Sequence, residues 1–351
     1  MQGSPRTPRT PRTGAPESAG PRIAWSWPAA LRCAVCTLPA ALVVLSGDPS
    51  KGLAWAVGIL PAAIVGIAPA RRARLHLVAV GALFALSILI GSALAQTSVT
   101  TVVGIFAVAY AAAILASRAA FGAVAMALCA PVAAIGLSYG DVGEAAWLGL
   151  IMFGGSLFSC AVFLLWPESA ASPPPAPALL PRRRARAYGV CLGLAAATAA
   201  GIGIAINTDH VGWAPAAALL VMRPSEEMQK VRSVGRLVSV LLGALAAVAF
   251  LRADPALGFY AVVAIAALAG AGGTRGSRWY VTAAFTTFLV LVMLLYANPT
   301  VATEQWRVAE RVGETALGVG LAYVFGLLLP DVVHRVQLRR ARSGAASGPT
   351  A

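Results

Sequence analysis

The sequence predicts an all-α polytopic membrane protein of about twelve transmembrane helices, arranged as two parallel six-helix repeats. Three observations predict it. The 351 residues are 59% hydrophobic and 11% charged, against about 25% charged in a soluble domain, so the chain lacks the charge to cover a water-facing surface. Its apolar residues come in long uncharged runs near the length that crosses a bilayer as a helix. Its basic residues fall in short clusters between those runs, the pattern that orients membrane spans.

Taken in order, residues 1–26 repeat Pro-Arg-Thr and hold almost nothing to bury, so they read as a disordered basic cytoplasmic tail. The first repeat covers 27–166, with spans expected at 27–46, 53–69, 75–95, 100–116, 120–138 and 145–166. Residues 167–186 are a linker rich in proline and arginine. The second repeat covers 187–330, with spans expected at 187–206, 211–222, 236–251, 256–273, 279–297 and 312–329. A second basic tail, 331–351, closes the chain.

The charges test this alternation. Of the 27 Lys and Arg, 23 fall on segments that share one side if the spans are placed as above. Only Lys51, Arg252, Arg307 and Arg311 fall on the other. Positive residues accumulate on the cytoplasmic side, so both termini are expected inside, in the bacterial plasma membrane. The first half is a degenerate copy of the second. Trp55 opens the second span as Trp213 opens the eighth, and Ser117-Arg118 precedes the fifth as Ser277-Arg278 precedes the eleventh. An arginine followed seven residues later by glycine recurs as Arg74–Gly81, Arg236–Gly243 and Arg311–Gly318.

One stretch departs from the simple theme. From Val211 to Gly243 a short apolar run ends at Arg223-Pro224, a charged segment follows, and Arg236 leads into the next run. Pro61 interrupts the second span and Pro215 lies in the short eighth; compromised segments at matching positions of two halves point to a transporter's binding site. Ser225 is placed to cap a short helix with Glu226 and Glu227 in its first turn and Lys230 later. Met228, Val231 and Val234 make one apolar face, so this helix is expected to lie on the membrane surface as an elbow before the span at 236. Arg223 and Arg236 flank it where apolar runs meet water, positions that suit either a carboxylate ligand or a snorkelling anchor.

The twelfth span opens with Glu310, Arg311 and Glu314 on helical spacing, and ionisable residues at the mouth of a span are costly enough to be functional candidates. Glu314 beside Arg311 reads as a gating or proton-coupling pair, or as a structural ion pair. Asp209-His210, before Trp213, reads as a proton relay or as a solvated loop pair. Cys33 and Cys36 form a CxxC inside an apolar run, where packing explains them better than metal or redox chemistry. There is no P-loop, since Gly47–Lys51 has the wrong spacing, and no HExxH or GxSxG. No cofactor, metal, catalytic residue or nucleic-acid partner is expected; the partners expected are the lipid bilayer and a small anionic substrate, with a homo-oligomer left open.

The stretch from Trp213 through Arg223-Pro224 to Arg236 and Gly243, with Arg311, Glu314, Thr315 and Gly318 near the end of the same repeat, resembles the fusaric acid resistance protein-like (FUSC) family, related to aromatic acid exporters. The resemblance covers 187–330 well and 27–167 loosely. It implies an inner-membrane transporter, not an enzyme, linked to efflux of aromatic carboxylic acids. On that reading Trp213, Arg223 and Arg236 bind substrate, while Asp209, His210, Glu310, Arg311 and Glu314 gate or couple protons. The chain departs from larger members, which carry cytosolic domains after each half. The reading from another class is a scaffold whose basic tails recruit anionic lipid or partner proteins.

Overall fold

A computed structural model of the chain describes residues 23–168, 181–277, 279–296 and 301–331. Most of both tails and of the linker, and Arg278, lie outside the described residues. The described residues form fifteen α-helices and two π-helical turns, with no strand among them. The first half holds α1 (Trp27–Leu45), α2 (Pro49–Gly58), α3 (Leu60–Val65), α4 (Arg71–Arg74), α5 (His76–Leu94), α6 (Ser98–Ala116), α7 (Ala120–Val124), α8 (Ala130–Gly136) and α9 (Val142–Leu165). The second holds α10 (Arg182–Ala205), α11 (Trp213–Val221), α12 (Glu226–Arg252), α13 (Leu257–Gly273), α14 (Trp279–Tyr296) and α15 (Val301–Tyr323).

Seven of these stretches are long and apolar enough to cross a membrane: Trp27–Leu45, Arg71–Leu94, Ser98–Ala116, Val142–Leu165, Arg182–Ala205, Glu226–Arg252 and Trp306–Asp331. Pro49–Val65, Phe121–Gly136, Leu257–Gly273 and Tyr280–Val292 are apolar but shorter, and α11 is shorter still at nine residues.

Proline explains most of the interruptions. The second expected span breaks at Ile59, between α2 and α3, because Pro61 has no N–H to return to the preceding turn. The π-helical turns Ala125–Cys129 and Val324–Leu328 each lie just before a proline, Pro131 and Pro330, where a widened turn relieves the clash with the carbonyl four residues back. Pro215 instead falls in the first turn of α11, where an N–H has no helical partner anyway.

The elbow differs from its expectation. Residues 226–252 form one continuous 27-residue helix, α12, capped by the Ser225 hydroxyl. Gln229, Ser233, Arg236 and Ser239 recur on one buried face, while Val231 and Val234 are exposed. The polar stripe gives the segment an inward face that a surface helix would leave unpartnered, so the helix rises into the bundle rather than bending along its edge.

Long-range packing is reciprocal between the halves. The largest contacts of α1 are with α13, and those of α10 with α6; α2 packs on α9 as α11 packs on α15. Connections gather at two ends. At one, Ser26 N–H donates to Gly273 O at 2.9 Å, Ala24 N–H to Ser277 Oγ at 2.8 Å and Arg71 N–H to Glu168 Oε1 at 2.8 Å. At the other, Gln96 Nε2 donates to Gly140 O at 3.1 Å and Gly212 N–H to Ser138 Oγ at 3.1 Å.

Candidate functional site

The short α11 begins inside the bundle, which buries Trp213 among helices from both halves. α15 crosses it closely because Gly318 faces it: a Cβ there would stand 2.3 Å from Ala214 O. That crossing carries the charged turn of α15 to the indole. The Arg311 guanidinium lies over the Trp213 ring, 4.4 Å from its centroid. The His210 ring stacks on the same indole at 4.3 Å and 16°.

His210 is held from two sides. Its Nδ1 is 3.1 Å from Glu310 Oε2, its backbone N–H donates to Glu310 Oε1 at 3.1 Å, and Arg307 lies 2.8 Å from Nε2. A guanidinium can only donate, so Nε2 accepts, and the ring is neutral with its proton on Nδ1 directed to Glu310. Trp306 Nε1 donates to Asp209 Oδ2 at 2.9 Å, closing the same end of α15 onto the loop before α11. Arg307 and Trp306 were not singled out in the sequence; the signal available was their position one turn before Glu310 and Arg311.

The expected Arg311–Glu314 ion pair is not formed. Ion pairs do form at Lys51–Asp48 and Lys230–Glu226, both on exposed surfaces. Arg311 is 4% exposed and Glu314 5%. Among the described residues Arg311 Nε and Glu314 Oε2 have no hydrogen-bond partner. Burial has already stripped these groups of water, so each unmet atom is a costly vacancy for a partner.

Arg236 approaches from α12. It is 5% exposed, its Nε is also without a partner, and it stands near enough to Arg311 to repel it. Arg223 is elsewhere. It follows the far end of α11, about 13 Å along the axis from Trp213, where its Nη1 donates to Leu219 O at 3.2 Å and Met222 O at 2.7 Å. It caps the helix rather than facing the indole. Contrast also Arg74, whose Nε, Nη1 and Nη2 donate to the carbonyls of Ala68, Phe163, Trp166, Pro69 and Pro167. All five of its donors are used.

A cavity of about 140 Å³ lies against Trp213 and His210, walled by Ala54, Val57, Leu148, Met152 and Val290, with Ser138 and Tyr139 at its polar edge. It therefore sits where the two halves of the chain meet. Cys33, Cys36, Cys129, Cys160 and Cys191 are free thiols, and no group of metal-ligating side chains is assembled among the described residues.

Long apolar helices with a charged cluster buried between them define a multi-pass helical membrane protein. Residues 198–325 match the family described as fusaric acid resistance protein-like. The matched segment contains Trp213, Arg223, Arg236 and the whole Asp209–Glu314 cluster, and it bears out the resemblance read over the second half. Comparisons with curated proteins and with solved structures find no match.

Proposed function

We propose that the protein is a secondary transporter of the bacterial inner membrane that exports small organic acids, including those built on an aromatic ring. The observation that carries this reading is the pair of buried guanidiniums, Arg236 and Arg311, near enough to repel each other and each with an Nε that has no acceptor among the described residues. Two like charges in a dry site are unfavourable unless an anion joins them, and a carboxylate suits their planar donors. Trp213 supports the aromatic half of the proposal. Its indole borders an apolar cavity of about 140 Å³, and a dry apolar cavity of about 150 Å³ accommodates one benzene ring.

In this reading Arg223 serves as a cap and the substrate carboxylate is held by Arg236 and Arg311. Asp209, His210, Glu310 and Glu314 form the proton-coupled gate. The charged groups facing His210 are Glu310 and Arg307, with Asp209 beside it and Arg311 on the shared indole. Reciprocal packing of α1 on α13 and α10 on α6 supports twelve spans in two parallel repeats. The charge count supports cytoplasmic termini.

The test is efflux of a labelled aromatic carboxylic acid from cells lacking the gene and complemented with each variant. Wild type should lower retention, while Arg236→Ala and Arg311→Gln should retain the label as the deletion does. Equal retention in cells with and without the intact protein would overturn the proposal.

A further inference from the structure

A second cavity lies at the opposite end of α9 from the first. It measures about 380 Å³ and is bounded by Arg32 of α1, Arg74, Trp166, Glu168 and the backbone of 67–69. Arg32 is five residues past the start of α1, and its guanidinium lies over the Trp166 ring at 5.6 Å. Among the described residues it has neither a hydrogen-bond acceptor nor a carboxylate in ion-pair distance. Arg275, in the loop after α13, packs its guanidinium against Gly66, immediately before the cavity wall. Gly66 has φ +75°, and a Cβ there would overlap the Arg275 guanidinium, so glycine is needed on both counts.

The charges here are unbalanced. Arg74 and Arg275 each stand close enough to Arg32 to repel it. Glu168 is the one carboxylate lining the cavity; it accepts the Arg71 backbone N–H and pairs with no arginine among the described residues. Arg74 contributes charge but no spare donor, since the five carbonyls occupy it. Among the described residues Arg32 and Arg275 keep their donors.

We propose that this cavity is a binding site for a phosphate-bearing anion, held by Arg32, with Arg275 at the rim beside Gly66 and Arg74 supplying a fixed positive field. Trp25 and Trp27, at the same end of α1, are 46% and 74% exposed and pack edge to face at 5.3 Å. Exposed tryptophans of this kind sit at the headgroup layer, and basic pockets between membrane helices hold anionic headgroups. An anionic phospholipid is therefore the source that the position favours. The site is independent of the transport reading, since it shares no residue with the Trp213 cluster.

The experiment uses the full chain, purified in a neutral detergent, and follows its thermal unfolding against added phosphatidylglycerol, phosphatidylcholine or inorganic phosphate. Phosphatidylglycerol should stabilise the protein and phosphatidylcholine should not. Arg32→Gln and Arg275→Gln should each weaken the effect by about fivefold, the worth of one basic residue near an anionic surface. Arg32→Lys should keep most of it, and Arg118→Gln, an exposed arginine outside the cavity, should bind as wild type does. Stabilisation by phosphatidylglycerol alone assigns the site to a lipid headgroup, and equal stabilisation by inorganic phosphate assigns it to a soluble phosphate. No discrimination from phosphatidylcholine by either anion would overturn the proposal, as would Arg275→Gln binding like wild type. Arg275 is exposed, so that variant tests the site even where Arg32→Gln fails to fold.

Discussion

Three arginines share one sequence pattern, each seven residues before a glycine, and their surroundings separate them. Arg74 is saturated by carbonyls from two loops, whereas Arg236 and Arg311 are buried with donors to spare. The glycines are similar: Gly81 and Gly318 each face a neighbouring helix too closely for a Cβ, and at Gly243 a Cβ would be a tight contact at 3.0 Å. The pattern therefore reports a helix crossing, and only the acceptors nearby decide whether its arginine is structural or available. Removing the indole should expose the difference. A desolvated cation–π contact is worth about 2 kcal/mol, so Trp213→Leu, which removes the ring under Arg311, should destabilise the protein by about that amount, measured by thermal unfolding in detergent, while Trp213→Phe retains part of it. His210 offers a second test: His210→Ala removes both the acceptor of Arg307 and the partner of Glu310, and should reduce efflux of the labelled acid.

At the scale of elements, the site depends on two helices whose lengths are unusual. α11 has nine residues, so its first turn and Trp213 lie within the bundle rather than at its surface. α12 runs 27 residues without a break and carries Arg236 past the point where the expected elbow would have left it at the boundary. Its two faces differ in burial, which predicts different tolerance. Ser233→Leu overpacks a buried position and should destabilise the protein by about 1–3 kcal/mol, whereas Val234→Leu, on the exposed apolar face, should leave its detergent melting temperature unchanged. The α11–α15 crossing has no such slack. Gly318→Val places a branched side chain against the Ala214 carbonyl and should separate Arg311 from Trp213. The expected result is lost efflux together with a lowered melting temperature, and unaltered efflux would show that the crossing does not hold the site.

Across the whole molecule, each half supplies the packing partner that the other lacks. α1 is packed mainly by α13 and α10 mainly by α6, so a half expressed alone would leave those faces uncovered. Co-expressed segments 1–168 and 181–351 should therefore co-purify, and either alone should be degraded or aggregate. Recovery of a monodisperse single half would contradict this. The same exchange explains the 140 Å³ cavity, which is walled by α2, α5, α8 and α9 on one side and by His210, Trp213 and Val290 on the other.

Much of this was legible in the chain. Hydropathy and length specify helices that suit a membrane, because a bilayer demands apolar residues over a set rise and internal satisfaction of every backbone group. The cost of ionised groups among apolar runs marked Arg236, Glu310, Arg311 and Glu314, and all four are buried. Other features depended on residues far apart in sequence. Arg74 finds three of its acceptors some 90 positions away, at Phe163, Trp166 and Pro167, and His210 meets Glu310 across 100. Burial and charge at a position follow from local composition and can be read in one dimension. Whether a buried charge has a partner depends on which helices cross, and that was decided only by the tertiary packing.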